Sequence, residues 1–135
     1  YSASNPPPNG FSSGTGVLSL SKQEAGRWIL SNTDNSYTGS TVISGGWLTV
    51  TKLANGNATS SIGASSNAAS NLSMANGTRL RYIGSGDSTD RSFLMNLSTA
   101  GHSVTIEASG TGAVNFTNTS TPGYGTANQT RTLGL

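Results

Sequence analysis

Apolar residues recur two positions apart along most of the chain. Leu18 and Leu20, Trp28 and Leu30, Leu48 and Val50, and Leu80 and Tyr82 follow this rule. So do Phe93, Met95 and Leu97, then Val104 and Ile106, then Val114 and Phe116. The residues between them are mostly Ser, Thr, Arg, Asn and Glu. A period of two is the mark of a strand with one face on a core and the other in water. The pattern predicts strands at Val17 to Leu20, Trp28 to Ser31, Thr41 to Ile43, Trp47 to Thr51 and Leu72 to Met74. Further strands are predicted at Thr78 to Ile83, Ser92 to Leu97, Ser103 to Ala108, Ala113 to Thr117 and Thr132 to Leu135. Helix formers follow one another only from Ser21 to Arg27, enough for a turn or two. The fold class is therefore all-β.

Strand starts spaced by about 10–12 residues suit sandwiches, barrels and solenoids alike. The supply of core residues separates them. Leu, Ile, Val and Phe make up only about 18% of the chain, while Ser, Thr, Asn and Gly make up roughly half. A sandwich needs two broad faces of large side chains. A right-handed parallel β-helix needs one or two per strand, because each coil buries them on the coils above and below. This architecture is expected over residues 15–135, with 1–14 as a Pro- and Ser-rich extended arm. Pro6, Pro7 and Pro8 cannot donate to a β-ladder.

Charge and cysteine content remove several functions. Only 9% of residues are charged, and 7 basic against 5 acidic side chains give +2. They are scattered singly, whereas a nucleic-acid surface clusters Lys and Arg. With no Cys, neither disulfides nor thiolate metal sites can form. No run approaches the ~20 apolar residues of a membrane helix. The chain opens on Tyr1 rather than Met, as a processed or excised piece would.

Residues Lys22 to Val50 read KQEAGRWILSNTDNSYTGSTVISGGWLTV. The stretch resembles the autotransporter-associated β-strand repeat of passenger regions in bacterial type V secreted proteins. Lys22, Gly26, Trp28, Leu30, Ser31, Asn35, Tyr37, Thr38, Gly39, Thr41, Val42, Gly46, Leu48 and Val50 match its pattern. Glu24 and Asn32 stand where Gly is common, and Trp47 where a small or Thr-like residue is usual. Ser60 to Phe93 and Ile106 to Thr119 resemble the segments between such repeats. The resemblance implies an extracellular, cell-surface β-solenoid that acts as adhesin, surface fibre or biofilm matrix. It brings no cofactor.

Candidate chemistry is thin. His102 is the sole histidine, beside Gly101, and no Gly-x-Ser-x-Gly elbow accompanies it. Asp87 and Asp90 share the loop SGDSTDR, and Glu107 points outward from a strand. A glycosidase needs two carboxyls opposed across a groove, so no enzyme is expected. Gly84 to Asp87 is a single copy of a calcium-repeat-like turn, and such sites need tandem copies. Alternation sends Arg79 and Arg81 outward while Leu80 and Tyr82 face in. Trp47 also falls on the outer face, either packed beneath a neighbouring loop or part of a contact.

Two non-catalytic roles follow. One is a structural subunit that stacks head to tail on copies of itself, with Leu133 and Leu135 at an uncapped end and Pro6 to Pro8 held by a neighbour. The other is a monomeric module that binds host or matrix glycans or proteins through Trp47, Arg79 and Arg81. Neither involves nucleic acid or a transmembrane segment.

Overall fold

Each trip of the chain around the molecule lays one strand on each of two sheets. The computed structural model describes residues 11–135. Pro6, Pro7 and Pro8 lie outside the described residues. The strands are β1 (Leu20–Lys22), β2 (Arg27–Leu30), β3 (Thr41–Ile43), β4 (Trp47–Val50), β5 (Leu72–Met74) and β6 (Arg79–Tyr82). They continue with β7 (Asp87–Thr89), β8 (Leu94–Met95), β9 (His102–Ala108), β10 (Val114–Phe116), β11 (Gly123–Tyr124) and β12 (Arg131–Gly134). One five-stranded sheet runs β1-β3-β5-β8-β11, a second runs β2-β4-β6-β9-β12, and β7 pairs with β10 on a third side. All these pairings are parallel. The molecule is a parallel β-solenoid, as its residue economy predicts.

Register converts alternation into columns along the solenoid axis. Inside the first sheet, Lys22, Ile43, Met74, Met95 and Tyr124 lie one above another. Inside the second, Trp28, Leu48, Leu80 and Ile106 form one column and Leu30, Val50, Tyr82 and Ala108 another. Ile43, Met74, Leu48, Val50, Leu80 and Val104 are fully buried. Each such side chain contributes about 1.5–3 kcal/mol relative to exposure. The core is thus a thin stack fed by every coil.

Every predicted strand has a counterpart; β3 and β5 keep the predicted bounds and the others have shifted ends. The first is displaced: β1 starts at Leu20, while Val17 and Leu18 are exposed. Its bounds come from pairing with Thr41 to Ile43, which no local pattern specifies. β7 and β11 carry almost no apolar signal and exist because β10 and β8 offer them a ladder. Ser21 to Arg27 forms the end of β1 and a corner, not a helix.

That corner shows how sequence sets the turn. At the step from first to second sheet, each coil places one residue at positive φ: Glu24 (60°), Gly46 (61°), Gly77 (72°), Gly101 (80°) and Asn128 (57°). At Gly46 a Cβ would also come within 2.2 Å of the Gly26 carbonyl oxygen, so only glycine fits. Glu24 takes the conformation that Gly46, Gly77 and Gly101 take at the same corner of other coils. A left-handed non-glycine residue costs about 1–2 kcal/mol, and added glycine entropy returns about 0.4–1 kcal/mol of that. Glu24→Gly is therefore expected to raise unfolding free energy by about 0.5–1 kcal/mol in urea titrations. An unchanged or lower value would show that the Glu24 backbone is unstrained.

Candidate functional site

The outward face of the second sheet gathers the charged residues singled out above. Register places Arg27, Trp47, Arg79, Thr105 and Gly134 in one outer column, with Ile29, Thr49, Arg81 and Glu107 in the next. Trp47, Arg79 and Arg81 are therefore neighbours, as alternation implies. They are also engaged with their surroundings. The Arg79 guanidinium lies 4.2 Å from the Trp47 ring centroid and donates to Glu107 Oε2 at 2.7 Å. Arg81 Nε stands 3.1 Å from Glu107 Oε1. The Ser109 hydroxyl first, then Arg81 and Arg79, hold the Glu107 carboxyl below its ordinary pKa. Trp47 is thus covered by an arginine of the next coil rather than by a loop.

The remaining acidic residues of interest are structural acceptors. Asp87 Oδ2 takes the Leu53 N–H at 2.9 Å. Asp90 takes the Gly56 N–H at 2.7 Å through Oδ1 and the Asn67 amide at 3.2 Å through Oδ2. Together they hold residues 51–71, a long excursion between β4 and β5, against the strand side of β7. His102 lies at the start of β9, paired with Arg131. Among the described residues, no group of three or more His, Cys, Asp or Glu could hold a metal ion.

The strongest polar chemistry is buried. Lys22, in phase with Leu20, is sealed inside the first coil. Its ammonium donates to the carbonyls of Gln23, Glu24 (2.6 Å) and Gly45 (3.0 Å). Burial pushes its pKa down, and the Glu24 charge opposes this. Asn35 is also fully buried: its Oδ1 accepts the Phe11 N–H at 2.8 Å and its Nδ2 donates to the Ser61 carbonyl at 2.9 Å. Tyr37, two residues on, places its hydroxyl 2.6 Å from Thr41 Oγ1. Gly39 lies so close beneath Leu18 that a Cβ would meet its carbonyl oxygen at 2.3 Å. Arg91 is the second sealed cation and holds four groups of the 51–71 segment. Sequence reasoning passed over Arg91, although it precedes Phe93, Met95 and Leu97 in the same alternation.

The two ends differ from the walls. At the tail, Phe116, Tyr124, Leu133 and Leu135 are exposed, Leu135 at 93%. Tyr124, Arg131 and Leu133 line an open cleft of ≈ 520 Å³ with Met95. At the head, Lys22, Glu24, Gly26 and Trp28 line a smaller one of ≈ 420 Å³.

The class of protein is therefore a parallel β-solenoid whose interior cations and amides pin corners and excursions. Comparison with known proteins gives the family. Residues 20–50 match the family described as Passenger-associated-transport-repeat. Over 122 residues the chain is 50% identical to the adhesin BmaC autotransporter of Brucella suis biovar 1 (strain 1330). That match takes in 90% of this chain and 4% of the relative. No solved structure matches. The chain carries an autotransporter passenger repeat and is an extracellular, cell-surface passenger segment. The matched stretch contains residues just described: Lys22 and Gly46 build the corner, and Asn35, Tyr37 and Gly39 build the third side.

Proposed function

We propose that the chain is a non-catalytic, adhesive rod segment that extends by stacking head to tail into a filament. The observation that supports this reading is the regular stacking of coils along one axis, each laying a strand on both five-stranded parallel sheets. Among the described residues, β1 and β2 are the head strands of these sheets and β11 and β12 the tail strands. Apolar side chains stand exposed there, Leu133, Leu135, Tyr124 and Phe116 at the tail and Leu18 at the head. A parallel strand edge with apolar surface is a template for another strand. The adhesive role is supported by the likeness to an adhesin.

Sedimentation velocity across rising concentration, with electron microscopy of the same samples, tests the filament. Mass that grows with concentration and rods one solenoid wide are expected. A single monomer species throughout would overturn it. The second reading, a monomeric segment that binds glycans or host proteins, draws on the placement of Trp47, Arg79 and Arg81 on one face. It is weaker because one ring face of Trp47 is covered and both arginines are committed to Glu107.

A further inference from the structure

Asn-Gly steps occur at residues 9–10, 55–56 and 76–77, and the first of them lies outside the described residues. Such a step is prone to spontaneous deamidation, because glycine leaves the backbone nitrogen unshielded and free to turn. The other two are held in one and the same way. The Asn76 side-chain oxygen accepts the Ser103 N–H at 3.0 Å, and the Gly77 N–H donates to the Ser103 carbonyl at 2.8 Å. The Asn55 side-chain oxygen accepts the Asp90 N–H at 2.9 Å, and the Gly56 N–H donates to Asp90 Oδ1 at 2.7 Å. In each case a single residue of the following coil grips both reacting groups.

We propose that Asn55 and Asn76 are deamidation sites that the stacked coils keep shut, so that separation of two coils is recorded as a covalent change. The Gly nitrogen attacks the Asn side-chain carbon and a C–N bond forms. The side-chain nitrogen leaves as ammonia, taking the backbone amide proton with it. Water then opens the succinimide at either carbonyl, giving aspartate or isoaspartate and a proton. Solvent water is the one co-reactant, and both Asn residues are exposed to it. The fold withholds freedom of movement instead. The Gly N–H must give up its acceptor to become a nucleophile, and the Asn amide must leave the next coil to turn onto it.

The change makes the opening permanent. At residue 55 it sets a new carboxylate against Asp90, whose own carboxylate holds Gly56. Like charges so placed repel, and the 51–71 excursion redocks more weakly. At residue 76, isoaspartate inserts one more carbon into the backbone of the corner where Gly77 turns at φ 72°. The Gly77 N–H then falls out of step with Ser103.

Reaction through an opened state runs at the unfolded rate multiplied by the open fraction. Two hydrogen bonds set that fraction at about one tenth or less. The chain is incubated at mildly alkaline pH, folded and unfolded in urea, and mapped by peptide mass spectrometry. Both sites fall in the tryptic peptide Leu53–Arg79, so each serves as the other's control. Both are expected to react about tenfold or more slower in the folded chain, and equal rates overturn the proposal. Asp90→Ala removes the acceptor of the Gly56 N–H and leaves Ser103 in place. Asn55 is then expected to react about fivefold faster than in the unsubstituted folded chain, with Asn76 unchanged. Amide hydrogen exchange by NMR follows the same openings without the chemistry. Should the substitution loosen both coils, exchange at Gly56 and Gly77 rises together with deamidation at both sites, which upholds the link. Freed exchange at Gly56 with Asn55 still slow overturns it.

Discussion

Replacing Arg91 by methionine lowers the unfolding free energy by about 3–5 kcal/mol and loosens residues 51–71 on the coils. The size follows from what the side chain holds. It is 3% exposed, and its Nε donates to the Ala54 carbonyl at 3.0 Å. Nη1 reaches Ser65 Oγ at 2.8 Å, and Nη2 the carbonyls of Ala58 (3.2 Å) and Gly63 (3.0 Å). Methionine fills much of the space but satisfies none of these acceptors. Ala54 keeps the Thr89 hydroxyl and Gly63 the Ser60 hydroxyl, whereas the Ala58 carbonyl and the Ser65 hydroxyl lose this partner. A carbonyl left dry costs about 1–3 kcal/mol unless the segment opens to water. Opening is available on either side of residues 60–64, which stay held by Asn35, by the Tyr37 carbonyl and by the buried Ile62 side chain. Urea titration gives the loss, and limited proteolysis shows the first cut moving into 51–71. Arg91→Lys recovers only part, since one ammonium cannot reproduce a planar fork with donors on three nitrogens. A loss under about 1 kcal/mol would mean that the segment is held elsewhere.

Arg91 and Lys22 also show what can be read from such a sequence. The apolar columns were legible because a period of two needs no knowledge of partners: Leu48 with Val50 and Leu80 with Tyr82 point inward as the pattern says. The parallel solenoid followed from how few such residues each strand supplies together with the resemblance of Lys22 to Val50 to a passenger repeat. The two buried cations obey the same alternation, Lys22 two positions after Leu20 and Arg91 two before Phe93. A reading that sorts residues by polarity sends them to the surface. Beside the neighbouring Gln23 and Glu24 carbonyls at Lys22, their burial depends on carbonyls from 23 to 37 residues away, and only the coil-to-coil stacking provides those. The same reason hid β7, whose residues Asp87, Ser88 and Thr89 become a strand through Val114 to Phe116. On the outer face, alternation located Trp47, Arg79 and Arg81 correctly. It could not show that Glu107, from the following coil, ties both arginines down.

Alkali is expected to unfold the protein through Tyr37. Burial pushes its phenol up to about 12, with the hydrogen bond to Thr41 and the charge of Arg91 opposing. In the unfolded chain the phenol ionises near its ordinary pKa of 10.0. Below that pH both states carry the proton and stability is unaffected. Above it the unfolded chain sheds a proton that the native state keeps, so stability falls by about 1.4 kcal/mol per pH unit until the native phenol also ionises. Across the two units the loss is roughly 2–3 kcal/mol. Tyr82, also raised by burial first and by its hydrogen bond to Asp87 next, adds to the fall. Lys22 acts in the opposite sense and in an earlier window. Its folded pKa lies below 10.5, so stability rises as pH climbs through that lowered value toward 10.5. Tyr37→Phe keeps the ring and deletes the titration. At neutral pH the variant is expected to be about 1 kcal/mol weaker, for the lost bond to Thr41. Its alkaline slope should be shallower, so the two stability curves cross between pH 10 and 12. Urea titrations from pH 7 to 11.5 check this. Parallel curves would show that Tyr37 ionises in the folded chain as readily as in the unfolded one.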